Sequence, residues 1–190
     1  MKRLVLVRHG QTDWSRAGRH TSRTDVALTD EGIRQGQQLG ERLQRLQVAP
    51  VHVLSSPRRR ALDTARLAGW DMPEVTHLLA ELDYGKYEGR TTAEIRADRP
   101  DWDLFRDGCP GGETLTQAAT RATRLLDELA PEDGDVDVAL FGHGHFLRIL
   151  AATYLKLAPG KARGLALDTA SISLLGHEHW WRAIRTWNLT

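Results

Sequence analysis

Short apolar runs alternate along the chain with longer segments whose apolar residues recur at helical spacing. The runs predict buried strands, with two closing strands at the C-terminal end, at residues 3–8, 51–54, 75–79, 136–141, 171–176 and 180–187. The intervening segments predict helices at residues 29–46, 57–68, 91–98, 114–129 and 144–155. Strands that alternate with helices indicate an α/β protein: a three-layer α/β/α sandwich around a mostly parallel central sheet.

Turn and capping residues mark the boundaries of these helices. Thr29 precedes two acidic residues, which is typical of a helix N-terminus. Ser55-Ser56-Pro57 is interpreted as the cap of the next helix, with Pro57 at its first position. Thr91 opens a capping-box sequence, with a glutamate three residues later. Glycine punctuates residues 80–90, and residues 99–112 contain both glycine and proline, so both segments are predicted to be irregular loops.

Histidine and arginine side chains follow three of the predicted strands. Arg8 and His9 end the first strand, Arg60 lies in the first turn of the helix after the second, and His143 follows residues 136–141. Because ligands of such sheets lie beyond the C-terminal strand ends, we expect these four side chains to face one crevice. Guanidinium groups and helix N-termini bind phosphate well. A histidine that nearby guanidinium groups keep neutral can act as a nucleophile.

Composition and charge exclude several classes of protein. The 190 residues are 41% hydrophobic and 27% charged, which fits one globular domain over residues 1–190. The formal net charge of +1 gives no reason to expect nucleic acid as a partner. No apolar stretch approaches the ~20 residues that span a membrane, and Arg8 ends the N-terminal apolar run too early for a secretory signal. The single cysteine, Cys109, cannot form an intramolecular disulfide, so a cytoplasmic location is predicted.

An ordered series of short motifs extends over most of the chain. In chain order they occupy residues 6–15, 24–32, 55–65, 81–89, 110–114 and 142–148. The first contains Arg8-His9-Gly10, a tripeptide that would be a weak signal alone. Together, and in this order, the motifs resemble those of the histidine phosphatase superfamily in its phosphoglycerate mutase-like branch.

The resemblance implies a phosphoglycerate mutase-like fold and a metal-independent phosphomonoesterase. His9 would be the nucleophile that carries a transient phosphohistidine, while Arg8, Arg60 and His143 would hold the phosphoryl oxygens. Glu81 would protonate the leaving alkoxide and then activate water, so it must be protonated for the first step. No cofactor is expected, because arginine and histidine supply the positive charge.

The segment from Trp14 to Arg23 departs from the commonest family pattern. Ser15 stands where many relatives carry an asparagine that contacts phosphate, and Thr21 stands where some carry glutamine. With Gly144 and His20, these residues are predicted to contact the substrate or its phosphate. Arg58 replaces an apolar residue that is usual in the family, and it either adds charge at the pocket mouth or faces solvent.

The favoured substrate is a small phosphorylated metabolite, a sugar phosphate or bisphosphate, because the motifs resemble a subgroup that includes such phosphatases and broad acid phosphatases. A cofactor-dependent phosphoglycerate mutase is an alternative, although family mutases usually carry extra segments over the site. A ribazole phosphate phosphatase and an inactive relative that only binds phosphorylated ligands also stay open. His143 and His145 have the spacing of a metal pair, but further ligands are not evident, so no metal site is predicted. A homodimer is compatible with the sequence, and no membrane partner is expected.

Overall fold

A computed structural model describes residues 3–129 and 136–190. Within these ranges the strands are β1 (Leu4–Arg8), β2 (Pro50–Ser55), β3 (Glu74–Val75), β4 (Asp137–Gly142), β5 (Ile172–Glu178) and β6 (Trp181–Leu189). The helices are α1 (Asp13–Arg16), α2 (Asp30–Arg45), α3 (Arg59–Leu67), α4 (Thr92–Asp98), α5 (Leu104–Asp107), α6 (Leu115–Leu129) and α7 (Gly144–Tyr154). In the part of the chain that is described, every helix is too short or too polar to cross a membrane. Met1 and Lys2, which begin the N-terminal run tested above as a signal sequence, lie outside the described residues.

The strands form one six-stranded sheet in the order β3-β2-β4-β1-β5-β6. Strands β3, β2, β4 and β1 run parallel to one another, whereas β5 is antiparallel to both of its neighbours, β1 and β6. This confirms the predicted α/β fold with a mostly parallel central sheet. Arg8 pairs with Gly142, and Ser55 pairs with Phe141, so β1, β4 and β2 end at the same level. The segments that follow these three strands therefore leave the sheet at one edge.

Alternating side chains of the central strands cover the two faces of the sheet. Leu4 and Leu6 of β1 pack in a cluster with residues of α6 and α7. Val5 and Val7 pack in a second cluster with residues of α2 and α3. Each of these four β1 side chains is fully buried, which contributes about 1.5–3 kcal/mol apiece. The two clusters make the three layers that the alternation of strands and helices predicts.

Two of the predicted helix N-termini are confirmed. The Thr29 hydroxyl accepts a hydrogen bond from the Gly32 N–H at the start of α2. Thr91 and Glu94 form a reciprocal capping box at the start of α4. In contrast, α3 begins at Arg59, so the prediction that Pro57 occupies the first helical position is wrong. The chain stays extended at Arg58, which carries the segment away from the sheet before the helix begins.

Several boundaries differ from the sequence prediction because tertiary contacts override local pattern. The strand predicted over 75–79 is limited to Glu74–Val75, and His77–Leu79 form a 3-10 helix whose Leu79 is buried. The loop predicted over 99–112 contains α5, and the unpredicted helix α1 begins within the first motif. The closing strands are displaced by one to two residues, so that His177 lies within β5 rather than in the turn.

Candidate active site

The common edge formed by the ends of β1, β2 and β4 opens onto a cavity of about 210 Å³. His9 extends the pairing of β1 with β4, because its N–H donates to the Gly142 carbonyl oxygen at 3.0 Å. Arg8, His9, Glu81 and Gly144 lie on the cavity wall. Arg60 and His143 are fully buried beside it. The structure therefore brings together the side chains that the strand ends predict for one crevice.

The turn that carries His9 is held by close backbone contacts. The Gly10 N–H donates to the Thr64 hydroxyl of α3 at 3.0 Å. A Cβ atom at Gly10 would lie 2.5 Å from the Gly32 carbonyl oxygen, so only glycine lets the turn approach α2 so closely. Contacts with α2 and α3, the helices on this face of the sheet, thus fix the position of the His9 backbone.

The contacts of His9 define which ring nitrogen is free to react. Its Nδ1 lies 2.7 Å from the Gly10 carbonyl oxygen. A carbonyl oxygen can only accept, so Nδ1 carries the proton and Nε2 keeps its lone pair. Burial, followed by the charges of Arg60 and Arg8, holds the pKa of His9 well below its ordinary value. His9 is therefore a neutral imidazole with a nucleophilic Nε2.

Arg60 is hydrogen-bonded to the loop over the cavity, residues 21–24. Its NH1 donates to the Thr24 carbonyl oxygen at 3.0 Å, and its NH2 donates to the carbonyl oxygens of Thr21 and Ser22 at 3.1 and 3.3 Å. The side chain is fully buried and has no carboxylate within 4.0 Å among the described residues. Its guanidinium group is thereby held rigidly without a carboxylate in direct contact, while Glu81 and Asp25 act on its charge from a greater distance.

Arg8 lies on the cavity wall. Its NH1 donates to the Leu167 carbonyl oxygen. A Cβ atom at Gly144 would lie 3.3 Å from both the Cζ and the Nε of Arg8. The glycine at the start of α7 therefore leaves the space against which the Arg8 guanidinium lies, which explains the place of Gly144 in the site.

Four buried nitrogen atoms of these side chains have no hydrogen-bond partner among the described residues. They are Nε of Arg8, Nε of Arg58, Nε of Arg60 and Nδ1 of His143. A buried donor without a partner costs about 1–3 kcal/mol, so native proteins seldom leave several together. Arg8 lines the cavity, and Arg60 and His143 lie close to His9, so their free nitrogen atoms form the arrangement expected of an anion site.

His143 forms the N-cap of α7 and faces His9. The two ring centroids are 5.2 Å apart. Its Nε2 lies 2.7 Å from the Ser56 hydroxyl oxygen, which also accepts from the Arg58 N–H at 3.3 Å. A hydroxyl can accept from the Arg58 N–H and donate to Nε2 at the same time, and in that arrangement the ring proton of His143 lies on Nδ1. Burial and then the charge of Arg60 hold the pKa of His143 well below its ordinary value.

Ser56 was noticed in the sequence only as a helix cap, so its contact with His143 was missed. Ser56 is fully buried. A polar residue that directly follows a parallel strand at the ligand edge is the signal that could have identified it.

Glu81 is bound by backbone N–H groups at the start of α7. Its Oε1 accepts from the N–H groups of Leu82 and Phe146, each at 2.8 Å. Its Oε2 accepts from the His145 N–H at 3.1 Å. Oε1 is therefore saturated, and the remaining lone pair of Oε2 is the position from which a proton can be given or taken.

The segment that leads to Glu81 is fixed from α6 by Arg121. Its NH1 donates to the carbonyl oxygens of Leu78 and Ala80, each at 2.8 Å. The same guanidinium pairs with Glu113 at 2.7 Å. A bidentate, largely buried ion pair of this kind holds its geometry well, so Glu81 is presented from a rigid support.

The residues predicted to contact substrate, Ser15, Thr21, His20 and Gly144, all lie on the cavity wall. The Ser15 hydroxyl donates to the Thr12 carbonyl oxygen at 3.0 Å, and the Thr21 hydroxyl donates to a backbone carbonyl oxygen of its own loop at 2.9 Å. Both hydroxyl hydrogens are thus engaged within the loop. Thr21 acts on the site through its carbonyl oxygen, which binds Arg60.

Aromatic side chains form the wall next to Glu81. The His20 ring lies 4.8 Å from the Tyr84 ring and 5.6 Å from the Trp102 ring, centroid to centroid. Burial lowers the pKa of His20 to about 4, so the ring is neutral near pH 7. The Tyr84 hydroxyl lies 2.6 Å from Nδ1 of His145. Tyr84 was not singled out from the sequence, since its approach to His20 and His145 depends on how three distant segments pack.

Arg58 does not turn away from the site. Its side chain is half-buried, and its charge adds to the larger effects that lower the pKa of Arg60 and of His143. Of the two alternatives left open by the sequence, the structure favours added positive charge beside the site.

His143 and His145 do not share a ligand-binding position. His143 pairs with Ser56, whereas His145 pairs with Tyr84. In residues 3–129 and 136–190, no group of three or more His, Cys, Asp or Glu side chains is arranged to hold a metal ion.

Comparison with known proteins places this geometry in a family context. Residues 4–190 match the model of the family described as the histidine phosphatase superfamily (branch 1). An acid phosphatase of Mycobacterium tuberculosis is 44% identical over 188 residues, which cover 99% of this chain and 93% of that protein. The sedoheptulose 1,7-bisphosphatase of Saccharomyces cerevisiae is 33% identical, over 84% of this chain and 69% of its own. The solved mycobacterial glucosyl-3-phosphoglycerate phosphatase matches with a TM-score of 0.88 at 31% identity, over 100% of both chains.

Proposed function

The chain belongs to the histidine phosphatase superfamily (branch 1), and on that premise we propose that it hydrolyses small phosphorylated metabolites through a phosphohistidine intermediate. The observation that carries the proposal is His9: a buried, neutral imidazole whose Nε2 is free, beside donors of Arg8, Arg60 and His143 that have no protein partner. A nucleophile next to uncompensated donors is the arrangement that phosphoryl transfer requires.

In the first step, the lone pair of His9 Nε2 attacks phosphorus. A P–N bond forms while the P–O bond to the leaving group breaks. The free donors of Arg8, Arg60 and His143 bind the non-bridging oxygens, where negative charge accumulates in the transition state. Glu81 gives its proton to the leaving alkoxide, which departs as an alcohol.

In the second step, water attacks the phosphohistidine. Glu81 takes a proton from the water, the P–N bond breaks, and His9 regains its lone pair. The products are inorganic phosphate and a protonated Glu81, ready for another cycle. The charge that the reaction needs is supplied by side chains of this site, which supports metal-independent catalysis.

The substrate proposed is a phosphorylated sugar or a similar metabolite. The sedoheptulose bisphosphatase and the glucosyl-phosphoglycerate phosphatase named above act on sugar derivatives by their names, and the chain matches both along most of its length. The wall made by Tyr84, His20 and His145 combines ring faces with polar ring atoms, which suits the alternating C–H and O–H groups of a sugar.

The test is phosphate release in the presence of EDTA from sugar phosphates, phosphoglycerates and p-nitrophenyl phosphate. We expect turnover by the wild type and at least about a 10³-fold loss in His9→Ala, because the nucleophile is removed. His179→Ala, which changes an exposed histidine at the β5–β6 turn, is the matched control and keeps the rate. A quench at alkaline pH, where phosphohistidine survives, should trap the phosphoryl group on the wild type alone.

Other results would point to the alternatives. Turnover that survives in His9→Ala would refute the assignment of the nucleophile. Conversion of 3-phosphoglycerate to 2-phosphoglycerate without net phosphate release would indicate a mutase. Binding of inorganic phosphate with no turnover of any substrate would indicate an inactive relative that binds phosphorylated ligands.

A cytoplasmic location and a homodimer are also proposed. The single cysteine, Cys109, supports a cytoplasmic location because the chain has no internal disulfide to maintain. Strand β6 is an edge of the sheet, where a second copy could pair to give a homodimer. Cell fractionation and light scattering test these two proposals.

A further inference from the structure

A third arginine, Arg148, lines the cavity that contains His9 and Glu81. It lies in α7, three residues after His145, so both side chains project from the same side of the helix. The phosphoryl site described above uses Arg8 and Arg60 and leaves Arg148 without a role.

The Arg148 guanidinium is fixed by contacts that leave one nitrogen unused. Its Nε donates to the Ala162 carbonyl oxygen at 3.2 Å, and its NH2 donates to the Arg163 carbonyl oxygen at 3.0 Å. Its Cζ lies 4.5 Å above the centre of the Phe105 ring. Within the described ranges, NH1 has no hydrogen-bond partner and no carboxylate lies within 4.0 Å of the group. A preorganised donor of this kind binds an anion without a further loss of side-chain freedom.

The positive charge of the arginines around the cavity is greater than the negative charge of one phosphoryl group. A phosphate monoester carries about −1.5 to −2 at pH 7, which Arg8 and Arg60 offset. Glu81 must be neutral when it gives its proton to the leaving group, so it cannot then balance Arg148. Arg19, which also lines the cavity, already has Glu94 at 3.9 Å. Among the arginines on the cavity wall, Arg148 is therefore the one left for a second anionic group.

We propose that Arg148 binds a second anionic group of the substrate, a carboxylate or a second phosphate, away from the phosphoryl group that is transferred. This proposal rests on the proposed function and narrows its substrate class to small phosphomonoesters with two anionic groups. A guanidinium nitrogen recognises either anion by a charge-assisted hydrogen bond.

The residues near Arg148 are suited to that role. Burial and then the charge of Arg148 keep the pKa of His145 well below its ordinary value, so this ring adds no competing positive charge. Tyr84 and His20 lie beyond His145 on the same wall. The carbon chain of a substrate would thus cross neutral ring surfaces between the phosphoryl site and Arg148.

The experiment compares substrates that differ only in the second group. For the carboxylate, 3-phosphoglycerate is compared with racemic glycerol 3-phosphate. For the phosphate, initial release from fructose 1,6-bisphosphate is compared with that from fructose 1-phosphate and fructose 6-phosphate. In at least one comparison, we expect the wild type to have a kcat/KM about 10- to 100-fold higher for the substrate that carries the second anionic group. The pair that shows the preference distinguishes a carboxylate from a phosphate.

Arg148→Met should abolish that preference while it retains an apolar stem over Phe105. Arg148→Lys should keep part of it, because a charge remains without the planar fork. Arg182→Met is the matched control, since Arg182 also lies over an aromatic ring, Tyr154, and donates to a carbonyl oxygen, but does so away from the cavity. The control should leave the substrate ratio unchanged.

The outcomes separate this proposal from the one on which it rests. Failure of the wild type to release phosphate from any substrate would refute the proposed function. Release at equal efficiency from both members of every pair would overturn the role of Arg148, even if Arg148→Met failed to fold. An equal loss on both members in Arg148→Met would likewise show that Arg148 only supports the fold.

Discussion

Ser56→Ala tests whether the contact beneath His143 positions that ring for catalysis. The Ser56 hydroxyl accepts from the Arg58 N–H and meets His143 Nε2 at 2.7 Å, and all of this is buried. Removal of the hydroxyl leaves two buried groups without that partner. At roughly 1 kcal/mol for each lost hydrogen bond, we expect a loss of about 2 kcal/mol in the free energy of unfolding. For a chain of this size that lowers Tm by about 4–8 °C.

The activity should fall as well as the stability. Without the Ser56 hydroxyl, His143 can hold its proton on either nitrogen, and its ring is free to rotate away from the phosphoryl group. We expect kcat/KM to fall by about 10- to 100-fold, the cost of one misdirected charge-stabilising donor. The assay is phosphate release at 25 °C, well below the lowered Tm.

Two further variants distinguish a positioning role of Ser56 from a general loss of stability. Ser55→Ala removes an equally buried hydroxyl that donates to the Ser56 carbonyl oxygen and does not touch His143, so it should lose stability but keep most of its kcat/KM. Ser56→Thr retains the hydroxyl and should recover part of the rate. If Ser56→Ala and Ser55→Ala had the same kcat/KM within about twofold, the argument for a positioning role would be refuted.

Three further predictions follow from the same geometry. Gly10→Ala places a methyl group against the Gly32 carbonyl oxygen and should cost about 1–3 kcal/mol by urea unfolding, whereas Gly164→Ala, which meets open space, should cost little. His20 has a pKa of about 4 when folded and an ordinary value near 6.5 when unfolded, so the unfolded state binds the extra proton and stability falls as pH drops below 6.5. Between pH 7 and pH 5 this lowers the free energy of unfolding by about 2 kcal/mol, a dependence that His20→Gln should remove. If stability depended on pH in that variant as it does in the wild type, the role of His20 would be refuted. Arg60→Lys cannot reproduce the fork that binds three carbonyl oxygens, so we expect at least about a 10²-fold loss in kcat/KM with a raised KM for phosphate esters, and wild-type kinetics would contradict it.

The location of the site could be predicted because it depends on the sheet. Once β1, β2 and β4 are recognised as parallel strands, the residues that follow them must meet at one edge, and His9, Arg60 and His143 do so. Glu81 could be placed by motif order alone. Its actual support, the N-terminal turn of α7, comes from a segment more than sixty residues away and leaves no local pattern.

The features that escaped prediction depend on packing between distant segments. The contact between Tyr84 and His145 joins a loop to helix α7, and nothing in either local sequence specifies it. Helix α5 forms where proline and glycine on both sides favour a loop, because its Leu104 and Phe105 become buried in a cluster with α7 residues. The 3-10 helix at His77–Leu79 replaces a predicted strand for the same reason, since burial of Leu79 outweighs β propensity.

The hydrogen bonds of Arg60 couple the loop over the cavity to phosphate binding in the proposed mechanism. Thr21, Ser22 and Thr24 bind, through their carbonyl oxygens, the same guanidinium whose Nε is buried without a partner among the described residues. A displacement of this loop would remove the contacts that orient Arg60, and in the proposed mechanism it would also weaken the binding of inorganic phosphate.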